Sequence, residues 1–253
     1  MDEPFLSVRG LMQSFDGAQV LAGLDFDVDV RTITALIGPN GAGKTTAFRR
    51  ISGTIAPERG RIVFAGKDIT GWPAQRIRRQ GVARTFQTPR TIAGLSVLEN
   101  LMLDALSQPG WQIWATLIGF GRTAERRARE RAIAIAERFD LLRRVNRPAG
   151  ALSGGQKRLL EIGRALMAEP RLVLLDEPMA GANPTLAERI AGHLEDLRSE
   201  GLTFLVAAHR MDAIAGLCDP VIAIAGGRRL ASGSFAEVAA DSAVQEAFQG
   251  RPN

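Results

Sequence analysis

A lysine, two adjacent carboxylates, a glutamine and a histidine could do chemistry in this chain, the lysine in a glycine-rich stretch and the others at the ends of short, mostly apolar runs. Lys44 and Thr45 fall in the stretch Gly38-Pro39-Asn40-Gly41-Ala42-Gly43-Lys44-Thr45-Thr46. Glycine has no Cβ, so such a segment can curl its backbone and aim successive N–H groups at one anion. The spacing G-x-x-x-x-G-K-T fits a phosphate loop, in which Lys44 reaches the β and γ phosphates of a nucleotide and the Thr45 hydroxyl binds Mg²⁺. The plain alternative is a glycine-rich turn with a surface lysine. The flanks oppose it: residues 32–37 read as a strand and residues 46–51 as a helix closed by Gly53. The N-terminus of that helix would add fixed positive charge at the same point.

Asp176 and Glu177 follow four apolar residues, Leu172-Val173-Leu174-Leu175. A carboxylate at such a strand end holds Mg²⁺, often through water. The next acid can position or deprotonate a water in line with the γ phosphate. Two adjacent acids at a buried strand end are costly without a cation. Gln87 ends a strand expected over residues 82–86, and His209 ends one over 203–208. Either could be an ordinary polar or packed residue. In an open α/β sheet, however, ligands bind beyond the carboxyl ends of the strands. If these strands lie beside the one that feeds the phosphate loop, all three ends converge on the γ phosphate. Leu152-Ser153-Gly154-Gly155-Gln156 reads as a second anion site at a helix start, or as a plain cap by Ser153, although one cap does not need two glycines.

The elements that must hold these groups alternate strand and helix, except in two places. Short strands before the phosphate loop, with Asp16-Gly17 as a turn, suggest an antiparallel sheet. Phe15 lies beside that turn, as a core residue or a hairpin plug. Between residues 88 and 148 no strand pattern appears. Ser96 to Glu99 form a capping box that opens a helix to about Leu106. Thr123 is expected to cap a long helix with Ala124, Ala128, Ala132, Ile135, Phe139 and Leu142 on one face. A helix after Pro184, a short helix over 211–217, a hairpin across Gly226-Gly227 and two short helices over 235–248 complete the reading. The fold class is α/β: a P-loop NTPase core with a mostly parallel sheet, an N-terminal antiparallel β subdomain and an inserted α-helical subdomain. Residues 1–253 form a single domain, with 1–87 and 150–253 as core and 88–149 as insertion.

The 253 residues are 45% hydrophobic and 23% charged, which suits a globular domain with a sizeable core. One cysteine, Cys218, leaves no intrachain disulfide. No secretory signal is visible, and the apolar run 111–120 is too short to span a bilayer. The net charge of +5 admits an acidic partner without choosing one.

In order, the phosphate loop, Gln87, Leu152–Gln156, Asp176-Glu177-Pro178 and His209 resemble the ATP-binding subunit of an ABC transporter over nearly the whole chain. The segments Val82–Gln87, Ser96–Asn100, Glu177–Pro184 and Glu246–Gly250 are similar to the branched-chain amino acid importer ATPases. The resemblance implies ATP and Mg²⁺ as ligands. It implies that Phe15 stacks on adenine, that Gln87 contacts Mg²⁺ and senses the membrane subunits, and that His209 is the switch residue at the γ phosphate. Ser153, Gly154, Gly155 and Gln156 would complete the ATP site of another subunit, and the helical insertion would dock on a transmembrane partner. Asn183 stands where most such ATPases carry the D-loop aspartate. Ala208 and Arg210 flank His209 where the subgroup has acids, and the signature is the general LSGGQ. The implied partners are a second ATPase subunit, identical or related, two permease subunits and an extracytoplasmic solute-binding protein, with no nucleic acid. The implied place is peripheral, on the cytoplasmic face of a prokaryotic inner membrane. A lipid or lipopolysaccharide exporter ATPase is the near alternative. A DNA-maintenance ABC ATPase is the distant one, opposed by the short insertion and the single copy of each motif.

Overall fold

The computed structural model describes residues 3–85, 91–106 and 121–249. It divides into two compact units, Met1–Arg84 with Arg171–Asn253, and Thr85–Pro170.

The first unit holds two sheets. Strands β1 (Leu6–Phe15) and β2 (Ala18–Val28) pair antiparallel across Asp16 and Gly17, both at positive φ. With β4 (Arg59–Phe64) and β5 (Lys67–Asp68) they form a sheet of order β2-β1-β4-β5. Both β1 and β2 run further than their apolar patterns suggest. The cause is a register shift after Val8, around Gly10 at φ 56°, which breaks the alternation of inward residues.

The second sheet has the order β10-β9-β3-β8-β7-β6. Its strands are β3 (Ile33–Ile37), β6 (Val82–Arg84), β7 (Leu172–Asp176), β8 (Thr203–Ala208), β9 (Val221–Ala225) and β10 (Arg228–Gly233). All neighbours are parallel except β9 and β10. Every residue of β3, β7 and β8 is buried. Unbroken apolar runs are what a strand covered on both faces requires. The strand expected over 82–86 pairs only at Val82–Arg84 among the described residues.

Helix α1 (Lys44–Ile51) begins two residues before the expected Thr46, because Gly43 at φ 103° turns the chain directly into it. Its Ala47, Phe48 and Ile51 join Leu21, Leu36, Leu174 and Leu205 in one core. Pro73 stands at the N-cap of helix α2 (Ala74–Arg79), just outside it. Residues 211–217 form successive turns rather than a helix. Asp212 is drawn to the side chain of Arg210, and Gly216 takes φ 78°, which no continuing right-handed helix accommodates.

The second unit contains α3 (Val97–Leu106), α4 (Gly121–Arg138) and α5 (Gly154–Leu166). Glu99 Oε2 accepts from Ser96 N and Oγ, each at 2.7 Å, so the expected capping box is present. Thr123 does not cap α4, since the helix already begins at Gly121. That helix also stops earlier than the apolar spacing suggests. Asp140 reverses the chain at φ 55°, and Leu142 starts a 3-10 turn and is exposed. A Cβ on Gly163 would lie 2.8 Å from Ile135 Cγ2 and 3.3 Å from Leu101 Cδ2. This close approach ties α5 to α3 and α4, so residues 150–170 group with the helical unit, where the sequence boundary assigned them to the core. Asn100, fully buried, accepts from Ile92 N and donates to the carbonyls of Ile92, Leu95 and Ser96. In the first unit, α6 (Pro184–Ser199), α7 (Phe235–Ala240) and α8 (Ser242–Gln249) complete the described residues.

Candidate functional site

The phosphate loop lies between β3 and α1, as the pattern requires. Two of its glycines are forced by contact. A Cβ on Gly38 would sit 2.2 Å from the carbonyl oxygen of Ile224, and one on Gly43 would sit 2.6 Å from Leu21 Cδ2. Lys44 Nζ donates to the carbonyls of Gly38 at 2.7 Å and Pro39 at 2.9 Å, which fixes the ammonium inside the curl of the loop. Burial lowers the pKa of Lys44, while the carboxylates of Glu177 and Asp176 act to raise it. Both acids therefore lie within electrostatic reach of the loop.

Sheet order explains that reach. β8 pairs with β3, and β7 pairs with β8, so Asp176 and His209 leave neighbouring strands on the side where β3 gives way to the loop. Glu177 follows at once. Its N–H donates to Ala207 O at 3.0 Å and its backbone takes the left-handed conformation, φ 51°. That conformation costs a residue with a side chain about 1 kcal/mol or more and persists only where the surroundings impose it. The turn places Glu177 Oε1 2.8 Å from His209 Nδ1. A carboxylate partner makes Nδ1 the protonated ring nitrogen and directs Nε2 away from Glu177. A cavity of about 400 Å³ adjoins this pair, walled mostly by apolar residues such as Ala180, Ala182, Ala208 and Ile214.

Asp176 is buried and its side chain is 2% exposed. Burial raises its pKa; Arg84 and the hydroxyl of Thr45, which hydrogen-bonds to it, act against that. A hydroxyl and a carboxylate are the hard oxygen donors that Mg²⁺ prefers, and Mg²⁺ needs only one or two protein ligands beside water and phosphate. Thr45 and Asp176 thus fit that ion. Among the described residues no cluster of three or more acids, histidines or cysteines could hold a metal alone, so phosphate or water oxygens must complete the set.

Phe15 is 41% exposed at the tip of the β1–β2 hairpin, available to a flat ligand rather than plugged into the core. Its neighbour is fixed from below. Glu58 Oε1 accepts from Ser14 N at 3.0 Å and from Gln13 Nε2 at 2.7 Å. Asn183 accepts from Leu186 N at 2.9 Å and so caps α6. Ser153 caps α5 in a reciprocal box with Gln156, Ser153 N donating to Gln156 Oε1 at 3.0 Å. The cap reading of Ser153 therefore holds, yet it leaves Gly154 unexplained. A Cβ there would meet nothing within 4 Å, and its φ is not positive. Gln87 lies outside the described residues, as does the apolar run 111–120.

Sequence reasoning overlooked Arg84, whose Nη2 lies 3.2 Å from Asp176 Oδ2. The signal was present: an arginine directly after Val82-Ala83 in a strand expected to be buried needs a partner. Glu58 was also passed over, because nothing local marks a loop acid that reaches 44 residues back to Ser14.

Residues 21–180 match the profile of the ABC transporter family. The chain is 36% identical over 245 residues to a protein of Archaeoglobus fulgidus named probable branched-chain amino acid transport ATP-binding protein LivG, covering 97% of this chain and 95% of that one. It is 36% identical over 253 residues to the high-affinity branched-chain amino acid transport ATP-binding protein BraF of Pseudomonas aeruginosa, covering 99% of each. The solved ADP conformation of MJ1267, an ATP-binding cassette of an ABC transporter, superposes with a TM-score of 0.86 at 33% identity, over 99% of this chain and 100% of that one. A nucleotide-free cassette of an ABC transporter superposes with a TM-score of 0.87 at the same identity.

Proposed function

The chain belongs to the ABC transporter family of ATP-binding subunits, and from that premise we propose that it powers uptake of branched-chain amino acids through membrane permeases. Its relatives in Archaeoglobus and Pseudomonas carry that transport in their names. The exporter and DNA-maintenance alternatives find no support among them. The observation that carries the catalytic reading is the Glu177–His209 pair on strand ends next to the phosphate-loop strand.

In this reading Lys44 and the loop N–H groups bind the β and γ phosphates, and Phe15 stacks on adenine. Glu177 orients and polarises the attacking water. His209 holds Glu177 by its Nδ1 side and turns Nε2 toward the γ phosphate. Thr45 and Asp176 would hold Mg²⁺, with Gln87 as a further contact. Bound there, the ion would neutralise charge on the phosphate oxygens as the γ phosphoryl passes to water and ADP departs. Electrostatic positioning of this kind, rather than covalent chemistry, accounts for most of the rate in phosphoryl transfer.

The chain would work as a pair, identical or related, with Ser153, Gly154, Gly155 and Gln156 of one copy closing over the nucleotide of the other. Gly154 supports this: its own chain gives no reason for a glycine, whereas an approaching phosphate does. Two permeases and an extracytoplasmic binding protein complete the system, the ATPase lying peripherally on the cytoplasmic side. No helix among the described residues is long and apolar enough to cross a membrane. Reconstitution with the permeases and binding protein from the same locus tests the proposal. ATP-dependent uptake of labelled leucine, isoleucine or valine is expected. Uptake of another solute with none of these three would overturn the substrate assignment.

A further inference from the structure

We propose that Arg84 is a positioning residue that competes with the divalent cation for the Asp176 carboxylate, so that metal binds firmly only once nucleotide phosphates are present. The inference rests on the reading of Asp176 as a metal-holding residue.

Arg84 closes the edge strand β6 and is in register with Leu174 of β7. Asp176 lies two residues further along β7, hence on the same face as Leu174 and within diagonal reach of Arg84. Arg84 Nη2 and Asp176 Oδ2 are 3.2 Å apart, and the two side chains are only 8% and 2% exposed. The same carboxylate accepts from the hydroxyl of Thr45, the residue placed to ligate Mg²⁺. Asp176 is therefore shared between a fixed guanidinium and the metal position.

An isolated buried carboxylate must find a cation or give up its charge. Arginine cannot be deprotonated in a protein, so the compensation by Arg84 is permanent. Lys44 also lies within electrostatic reach of Asp176, but its ammonium donates to the loop carbonyls of Gly38 and Pro39, so the direct ion pair is the one with Arg84. A cation that arrives beside a carboxylate already compensated gains less than one beside a bare carboxylate. The missing attraction has to come from phosphate oxygens. The consequence is a metal site that is weak alone and strong with nucleotide, which keeps the divalent ion from occupying the loop before ATP does.

Mn²⁺ titration followed by electron paramagnetic resonance, on the full chain with and without ADP, tests this. An opposite charge at this range shifts a carboxylate's proton affinity by roughly one to three powers of ten. Arg84→Met is therefore expected to tighten Mn²⁺ binding without nucleotide by about tenfold or more, with a smaller gain when ADP is present. Its thermal midpoint should fall in chelator and recover on adding Mn²⁺ by more than the parent gains. Unchanged or weaker Mn²⁺ binding in Arg84→Met overturns the proposal. If that variant does not fold, Arg84→Gln removes the charge while keeping a hydrogen-bond donor and should show the same rise; no rise there overturns the proposal equally. Asp176→Asn separates the two levels of the argument. If Mn²⁺ affinity with ADP is untouched there, the metal role of Asp176 fails, whatever Arg84 does.

Discussion

Glu177 keeps a left-handed backbone at the end of a fully buried strand and faces His209 across 2.8 Å. A carboxylate held in that way can lose its basicity without losing its shape, so Glu177→Gln isolates the chemistry. Hydrolysis should fall by about 100-fold or more, the usual range for a positioned general base. ATP binding, measured by equilibrium titration, should survive. Near-normal turnover would remove Glu177 from that role. Phe15 is a different test, since its side chain is 41% exposed at the hairpin tip. Stacking of a base on an aromatic ring is worth about 1–3 kcal/mol. Phe15→Ala should thus raise the dissociation constant for ATP by about tenfold while leaving kcat at saturation nearly unchanged. Equal affinity in the two proteins would make Phe15 a bystander. Lys44, Thr45, Asp176 and Glu177 stand out in the sequence as candidates because their motifs are local. Arg84 was not, because its partner lies 92 residues away.

Helix α5 separates packing from function within one turn. Ser153 and Gln156 cap each other, so Ser153→Ala should cost about 1 kcal/mol of stability. Gly154 has open space around it and an ordinary φ, so Gly154→Ala should leave the unfolding midpoint nearly unchanged. Yet it should impair hydrolysis if a second copy's phosphates approach there. Retained activity in Gly154→Ala would count against the shared site. Two other helix starts titrate. The Ser96 and Ser234 hydrogen bonds lower the pKa of Glu99 and Glu237 below the ordinary 4.5. A depressed folded pKa means that the stabilisation is present above 4.5 and is lost as pH falls through the lower folded value. Amide protection at the starts of α3 and α7, relative to the intrinsic exchange rate, should therefore fall below about pH 4.5, and Glu99→Gln should remove that dependence from α3 alone. Helix existence was readable from apolar spacing. Helix ends were less so: α4 starts before Thr123, and residues 211–217 never become a helix, because side-chain pairing and Gly216 outweigh local propensity.

At the scale of the whole molecule, a single chain carries both the phosphate loop and the signature, and the proposed reaction needs each from a different copy. Specific hydrolysis by the isolated subunit should therefore rise steeply with protein concentration through the dimerisation range. A strictly constant specific rate would argue for a self-sufficient monomer. The sequence by itself determined the α/β class, and it marked Gly38–Thr46, the acid pair and a stretch without strands as candidates. These depend on periodicity and on contacts within a few residues, where chain connectivity limits the options. It left open whether β3, β7 and β8 are neighbours, because parallel strands pair across long crossovers that no local pattern encodes. Only the tertiary order β3-β8-β7-β6 brings Glu177 to His209, and Asp176 to Thr45 and Arg84. The close fit at Gly163 likewise decided that the signature helix groups with the insertion, since it depends on side chains from three helices at once.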